Sequence, residues 1–211
     1  MIIKTLYAVG GCSLYVKQRS PLTSSGHALV LPANPELKYD SGWPLHRTIV
    51  KQIGMGLFDE ARAVAQEHAH KNGWYILGRH RYPVQPFSAH VTSGNALLVQ
   101  YVIHAVLIDL YLDGLSVKSR CNVETLSRTL KNVLDTVNDY PFETVAFPLI
   151  GTTNGLTPEE SIYHILTACK DAKQRGSRLR RVELYVEQDS DYSLASTFAR
   201  ENWHETMSDS L

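Results

Sequence analysis

The feature that most constrains the fold is an apolar run at residues 144–150, followed by a loop between two glycines and then a helix signal. A continuous apolar run of this length is typical of an interior strand. In the helix signal, Thr157 suits the N-cap, Pro158 the first helical position and Glu160 the third residue of a capping box. A buried strand that leads directly into a capped helix predicts an α/β domain.

A second unit of the same kind lies near the amino terminus. Residues 27–31 form a short apolar run that ends at Pro32, and helical spacing resumes at residues 45–53 after a proline-rich loop. By their periodicity, we predict further strands at 2–9, 13–17, 88–91, 101–108 and 181–187, and helices at 57–70, 122–138, 158–169 and 189–200. The order of these elements predicts a three-layer α/β/α sandwich with a mixed central sheet.

Length and composition favour one intracellular domain. The 211 residues suit a single domain, which we place at residues 1–203 with a short polar tail at 204–211. Lysine plus arginine number 21 and aspartate plus glutamate also number 21, so net charge does not favour nucleic acid or an acidic membrane as partner. The three cysteines form no CxxC pair, and we expect neither a metal nor a cofactor. The amino terminus lacks a signal-peptide pattern, and no apolar stretch could span a bilayer, so we expect a cytoplasmic protein.

The loops of the two strand–loop–helix units are candidate anion sites. We call residues 32–43 the first loop and residues 150–157 the second loop. Ligands of open α/β sheets bind at the carboxyl ends of the central strands, which meet at one edge. Glycine allows close approach of a ligand, and amides at a loop or helix start attract anions. Two such loops side by side could hold both phosphates of a diphosphate. The alternative is that both are ordinary connections of an α/β domain.

Several segments, in the same order along the chain, resemble the motifs of macro domains. Residues 30–37, VLPANPEL, are similar to V-N-A-A-N-x-x-L, and His46-Arg47 matches the helix start that follows it. Residues 90–97 and 101–106 resemble the family's T-x-x-G-x-L and Y-V-I-H-x-V strands. Residues 145–161 resemble the diphosphate loop I-A-F-P-x-I-x-T-G-x-x-G and its continuation. The ordered set spans most of the chain.

The resemblance implies a macro domain fold and binding of ADP-ribose or a related nucleotide, free or on an ADP-ribosylated protein. Asn34 would then contact the distal ribose, and Val186 and Glu187 would lie near the adenine. The implied ligand-binding residues are Ala33, Asn34, Ser41, Gly42, Leu149, Ile150, Gly151, Thr152, Thr153, Asn154, Gly155 and Glu187.

The sequence departs from the family pattern in three places. The aspartate that grips the adenine amino group in the family falls at Ser20, and the glycine-rich first loop is shortened to residues 38–43. The aspartate that hydrolytic members place before the helix has no clear match, and Asp40 is the nearest carboxylate. In a hydrolase, Asn34 would orient the ribose or the attacking water, and Asp40 would be the base or the electrostatic partner of the developing sugar cation. The alternatives are that Asn34 is an Asx-turn residue after Pro32 and that Asp40 is a solvated loop carboxylate.

Three functions therefore remain open from the sequence. The chain could be a module that binds ADP-ribose, or a hydrolase that removes ADP-ribose or an acetyl group from conjugates such as O-acetyl-ADP-ribose. It could also be a degenerate scaffold that has lost the nucleotide. The serine at position 20 favours the scaffold, whereas the unmatched loop aspartate favours binding over hydrolysis.

Overall fold

A computed structural model describes residues 4–205, and the side chains of residues 7–203. The strands are β1 (Lys4–Val9), β2 (Cys12–Gln18), β3 (Ala28–Ala33), β4 (Tyr75–Leu77), β5 (His80–Tyr82), β6 (Ala89–Ser93), β7 (Tyr101–Val106), β8 (Asp109–Asp113), β9 (Ser116–Arg120), β10 (Thr144–Pro148), β11 (Arg181–Val186) and β12 (His204–Glu205). The α-helices are α1 (Pro44–Ile53), α2 (Gly56–Asn72), α3 (Val123–Asp139), α4 (Pro158–Gln174) and α5 (Asp189–Asn202).

Eight of these strands form one mixed sheet in the order β12-β1-β2-β11-β10-β3-β7-β6. The five central strands, from β2 to β7, pair in parallel. The outer pairs β12–β1, β1–β2 and β6–β7 are antiparallel. The carboxyl ends of β11, β10, β3 and β7 therefore lie at the same edge of the sheet.

Helices cover both faces of the sheet. On one face, α3, α4 and α5 contribute Leu130, Ile165 and Ala195 to the larger core. On the other, Ile49 of α1 and Phe58 of α2 pack in a smaller cluster. The prediction of a three-layer α/β/α sandwich with a mixed sheet is confirmed. No helix among residues 4–205 is long and apolar enough to cross a membrane.

The elements agree with the sequence predictions except at two hairpins. The antiparallel pairs β4–β5 and β8–β9 stand apart from the main sheet and were not predicted. An Asp113-Gly114 pair between alternating residues is a hairpin signal that could have located the second one. At the chain ends, β12 extends the sheet into the predicted tail, while the predicted strand residues 2–3 and tail residues 206–211 lie outside the described part.

A histidine lies in the middle of the sheet. His104 on β7 is 1% exposed, and its Nε2 shares a 2.9 Å hydrogen bond with the Thr92 hydroxyl on β6. Burial lowers the pKa of His104 from 6.5 to about 3. The folded protein therefore holds this imidazole neutral under conditions in which the unfolded chain would protonate it.

We predict that the His104→Leu variant loses stability less steeply than the wild type as the pH falls. Between pH 6.5 and 3 the unfolded chain binds the His104 proton and the folded chain does not, so this group destabilises the fold by about 1.4 kcal/mol per pH unit. Leucine cannot bind this proton in either state. The Thr92 hydroxyl still donates to the Ser93 carbonyl, so it is not left without a partner. Urea unfolding of both proteins at about pH 7 and about pH 5 measures the difference. If the free energy of unfolding changed equally with pH in the wild type and the variant, His104 would not be a buried neutral group.

Candidate functional site

A cleft of about 300 Å³ opens at the carboxyl edge of the sheet, over the ends of β3, β10 and β11. Its floor is Pro32, Pro148 and Leu149, and Thr152 and Thr153 of the second loop lie beside that floor. The first wall comes from the start of α1, and the facing wall comes from β11, the start of α5 and the segment after β2. The wall residues are Trp43, Pro44, Leu45 and Thr48 on one side and Ser20, Pro21, Tyr185, Val186, Glu187, Gln188 and Asp191 on the other.

The amino end of α1 presents free amides to this cleft. Trp43 is the N-cap residue but its side chain makes no capping hydrogen bond, and Pro44 has no amide hydrogen. The first helical hydrogen bond is donated by Arg47 to the Trp43 carbonyl. The amides of Leu45 and His46 therefore have no helical acceptor. Together with the helix dipole, they form a site that favours an anion.

The second loop presents a matching set of amides. Gly151 and Gly155 both have positive φ, 91° and 106°, and they bracket a short 3-10 helix, Thr152–Asn154. The amides of Asn154 and Leu156 donate to the Gly151 carbonyl. Among the described residues, the amides of Thr152 and Thr153 donate to no carbonyl of a turn, loop or helix cap. These amides precede the bonded ones and are available to a ligand in the cleft.

Gly151 is required at its position for steric reasons as well. A Cβ there would lie 2.4 Å from Leu156 Cδ1, a distance that side chains do not tolerate, and 3.4 Å from Leu107 Cδ2. Its φ of 91° is also in the left-handed region that favours glycine. Any other residue at this point would strain the backbone and displace the Leu156 side chain.

Asn34 stabilises the first loop from within. Its Oδ1 accepts hydrogen bonds from the amides of Glu36 at 3.1 Å and Lys38 at 3.2 Å, and its Nδ2 donates to the Lys38 carbonyl at 3.1 Å. The side chain is largely buried, at 9% exposure. This is the Asx-type geometry by which asparagine replaces a backbone turn.

His46 holds the other end of the first loop. Its Nδ1 accepts from the Asp40 amide at 3.1 Å, and its Nε2 donates to the Pro32 carbonyl at 2.8 Å. These roles require the neutral ring with its proton on Nε2, and burial lowers the pKa of His46, which favours that form. The Asp40 carboxylate accepts from the Gly42 amide at 2.8 Å, so it too is engaged within the loop.

Buried charges hold Tyr185 in the facing wall. The Tyr185 hydroxyl donates to Glu183 Oε2 at 2.6 Å, while Lys17 Nζ lies 2.6 Å from Glu183 Oε1 and donates to the tyrosine oxygen at 3.1 Å. Burial opposes ionisation of Glu183, but the hydrogen bonds from Lys17 and Tyr185 lower its pKa to about 2. The tyrosine is therefore fixed, and the carboxylate beneath it stays charged at neutral pH.

The structure brings part of the predicted ligand-binding set to the cleft. Leu149, Thr152, Thr153 and Glu187 line it, and so does Ser20. The other predicted residues belong to the two loops but are not among the lining residues: Ala33, Asn34, Asp40, Ser41, Gly42, Ile150, Gly151, Asn154 and Gly155. Their binding and catalytic roles remain predictions.

Sequence reasoning missed most of the α1 and α5 walls. The uncapped proline start of α1 was a usable signal for Leu45, since proline at the first helical position marks where free amides begin. Tyr185, Gln188 and Asp191 carried no local signal. They reach the cleft because α5 begins directly after β11 at the carboxyl edge.

Comparison with known proteins agrees with this geometry. The family model described as Macro domain matches residues 30–166, well over half of the chain. The chain belongs to the macro domain family. The match includes the first loop of this macro domain and its second loop. A search of curated proteins returns no match.

Solved structures share the fold of this macro domain at low sequence identity. The Oceanobacillus iheyensis macrodomain with ADP has a TM-score of 0.74 and 15% identity, covering 95% of this chain and 97% of its own. A mutant of that macrodomain with ADPR has a TM-score of 0.76 and 16% identity, covering 94% and 98%. The Trypanosoma brucei macrodomain in complex with ADP-ribose has a TM-score of 0.65 and 15% identity, covering 88% and 68%.

We predict that Asn34→Ala loosens the first loop. The change leaves the Glu36 and Lys38 amides without their side-chain acceptor, which costs about 1–3 kcal/mol of stability. Asn34→Asp retains an acceptor oxygen and should destabilise less. Hydrogen exchange of these two amides, together with urea unfolding, checks both variants. Unchanged protection of the amides in the alanine variant would show that Asn34 does not hold the loop.

Proposed function

We propose that this macro domain binds ADP-ribose, or a closely related nucleoside diphosphate, through its diphosphate group. The observation that carries the proposal is the placement of two amide sets on one cleft. Leu45 at the start of α1 lines the cleft on one side, and the free amide of His46 follows it in the helix; Thr152 and Thr153 line the cleft from the second loop. A diphosphate offers two adjacent anions, which suits donors that converge from two sides.

The rest of the cleft suits the other parts of a nucleotide. Its volume of about 300 Å³ lies at the lower end of the range for small-molecule sites. Apolar side chains such as Leu149 and Val186 can pack against a base or ribose, while Gln188 and Asp191 offer polar contacts to the edge of a base. Ser20 can contact the base only through its neutral hydroxyl, which makes a weaker hydrogen bond than a carboxylate would.

Binding without cleavage is the function that these contacts support best. Cleavage at the anomeric carbon needs a group that stabilises positive charge on the sugar and one that positions water. The side chains of Asn34 and Asp40 are both engaged in holding the first loop, to Lys38 and to Gly42. Hydrolysis would need Asn34 to be released from the loop, or Asp40 to act through Oδ2 while Oδ1 keeps its bond to the Gly42 amide.

The ligand can be free or attached to a protein, because the cleft is an open groove at the edge of the sheet.

We also propose a cytoplasmic location. The free cysteines Cys12, Cys121 and Cys169 support it, since unpaired thiols are typical of reducing compartments.

We predict that ADP-ribose and ADP bind to the wild type and that AMP, with one phosphate, binds more weakly. Thr153→Glu adds a carboxylate beside the amides of the second loop and should weaken ADP-ribose binding by at least about tenfold. Thr153 is exposed, so the change should not disturb the fold. Isothermal titration calorimetry measures the affinities.

The matched control is Thr197→Glu, which makes the same change at an exposed position on α5 that does not line the cleft. It should bind ADP-ribose as the wild type does. Failure of the wild type to bind any of the three nucleotides would exclude the proposed function and favour a scaffold. Equal loss in both variants would show that overall charge, not the second loop, determines binding.

A further inference from the structure

Two hairpins lie near the cleft, one beside the first loop and one beside the second loop. After β5 the chain reaches Val84, whose amide donates to the Pro35 carbonyl of the first loop at 3.3 Å. β8 begins shortly after Leu107, whose Cδ2 would lie 3.4 Å from a Cβ at Gly151 in the second loop. The bases of β4–β5 and β8–β9 thus lie beside the first and second loops, next to the cleft but outside its lining.

The two hairpins form one exposed apolar surface. They touch near Gly78, where a Cβ would lie 3.2 Å from Leu112 Cδ1. Large hydrophobic side chains project from this side: Leu115 in the β8–β9 turn is 91% exposed, Ile76 61% and Leu112 44%. Apolar residues concentrated in this way on a protein surface mark interaction sites.

The same surface carries positive charge. Residues 73–82 contain Arg79 and Arg81 but no aspartate or glutamate. Arg81 lies over the Trp74 ring at 4.7 Å. On the opposite face of β8–β9, Arg120 pairs with Asp109 at 2.8 Å and lies over the Tyr111 ring at 5.4 Å, so these three residues are not part of the surface. Tryptophan, tyrosine and arginine are the residues that dominate binding energy at protein interfaces.

We propose that this hairpin surface, formed by Ile76, Arg79, Arg81, Leu112 and Leu115, binds the polypeptide that carries the ADP-ribose, at a segment with acidic and apolar side chains. The proposal rests on the proposed function, because the cleft would hold the nucleotide while the hairpins contact the protein beside it. Contacts at two adjacent sites on one molecule raise the affinity above that of either alone.

The charges and side chains favour a polypeptide over the other occupants. Nucleic acid is bound mainly through phosphate contacts with many cations. Three exposed apolar side chains and the carboxylate of Asp113 do not serve that purpose. A second copy of this chain, related by a two-fold axis, would bring Arg79 and Arg81 of the two β4–β5 hairpins close together, and their like charges would repel.

Fluorescence anisotropy with two probes tests the proposal: labelled ADP-ribose, and a labelled peptide of glutamates and leucines that carries one ADP-ribosyl group. The wild type should bind the conjugate about tenfold more tightly than free ADP-ribose. Arg79→Glu with Arg81→Glu, and separately Leu115→Ser, should remove that advantage while affinity for free ADP-ribose stays unchanged. The matched control is Arg175→Glu with Arg178→Glu, which alters exposed arginines near the start of β11, at the edge of the sheet opposite to the cleft. This variant should still bind the conjugate more tightly than free ADP-ribose.

Equal binding of the two probes by the wild type would overturn this inference and leave the proposed function intact. If neither probe binds, the proposed function fails and the inference fails with it. Binding of single-stranded RNA that is lost in the Arg79/Arg81 variant would overturn it in favour of nucleic acid. A wild-type dimer that Leu115→Ser converts to a monomer, seen by light scattering, would overturn it in favour of a second copy.

Discussion

The parallel pairing of β3 with β10 is the constraint on which the rest of the site depends. Val145 pairs with Ala28 and Ala146 with Leu29, so both strands run in the same direction and end at the same edge. Each strand is then followed by a loop and a helix. Two helix or loop starts therefore meet with their amides unpaired, and their partial positive charges add in one cleft.

Hydrogen bonds inside each loop keep those amides in place before any ligand arrives. In the first loop, neutral His46 joins the end of β3 to Asp40, and Asn34 closes the turn through Lys38. In the second, two positive-φ glycines and the packing of Leu156 against Gly151 set the path of the chain. A preformed cleft binds at lower entropic cost than one that must order its loops.

Much of this arrangement could be read from the sequence because it rests on local chemistry. The capping box at Thr157 and Glu160 was predicted and forms in both directions, with the Thr157 amide donating to Glu160 Oε2 at 2.8 Å. The buried runs that became β3 and β10 were found from their apolar residues and from the proline and glycine that follow them. Those two strands position the floor of the cleft, and hence Leu149, Thr152 and Thr153.

The remaining features depend on contacts between distant parts of the chain. The hairpins β4–β5 and β8–β9 are each too short to be stable alone, so their formation depends on the loops and on each other. Tyr185 reaches the cleft wall because Lys17 and Glu183 pair beneath it, across strands far apart in sequence. The hydrogen bonds of the Asn34 side chain match the Asx-turn alternative that the sequence offered for this residue.

The most direct test of the account is to follow backbone amide chemical shifts by NMR as ADP is added. The account predicts saturable shifts that are largest at Leu45, His46, Thr152 and Thr153, because these amides would donate to the two phosphates. Smaller changes should follow along β11 and the start of α5. Shifts that do not saturate, or that are largest on α3 and α4 away from the carboxyl edge, would contradict it.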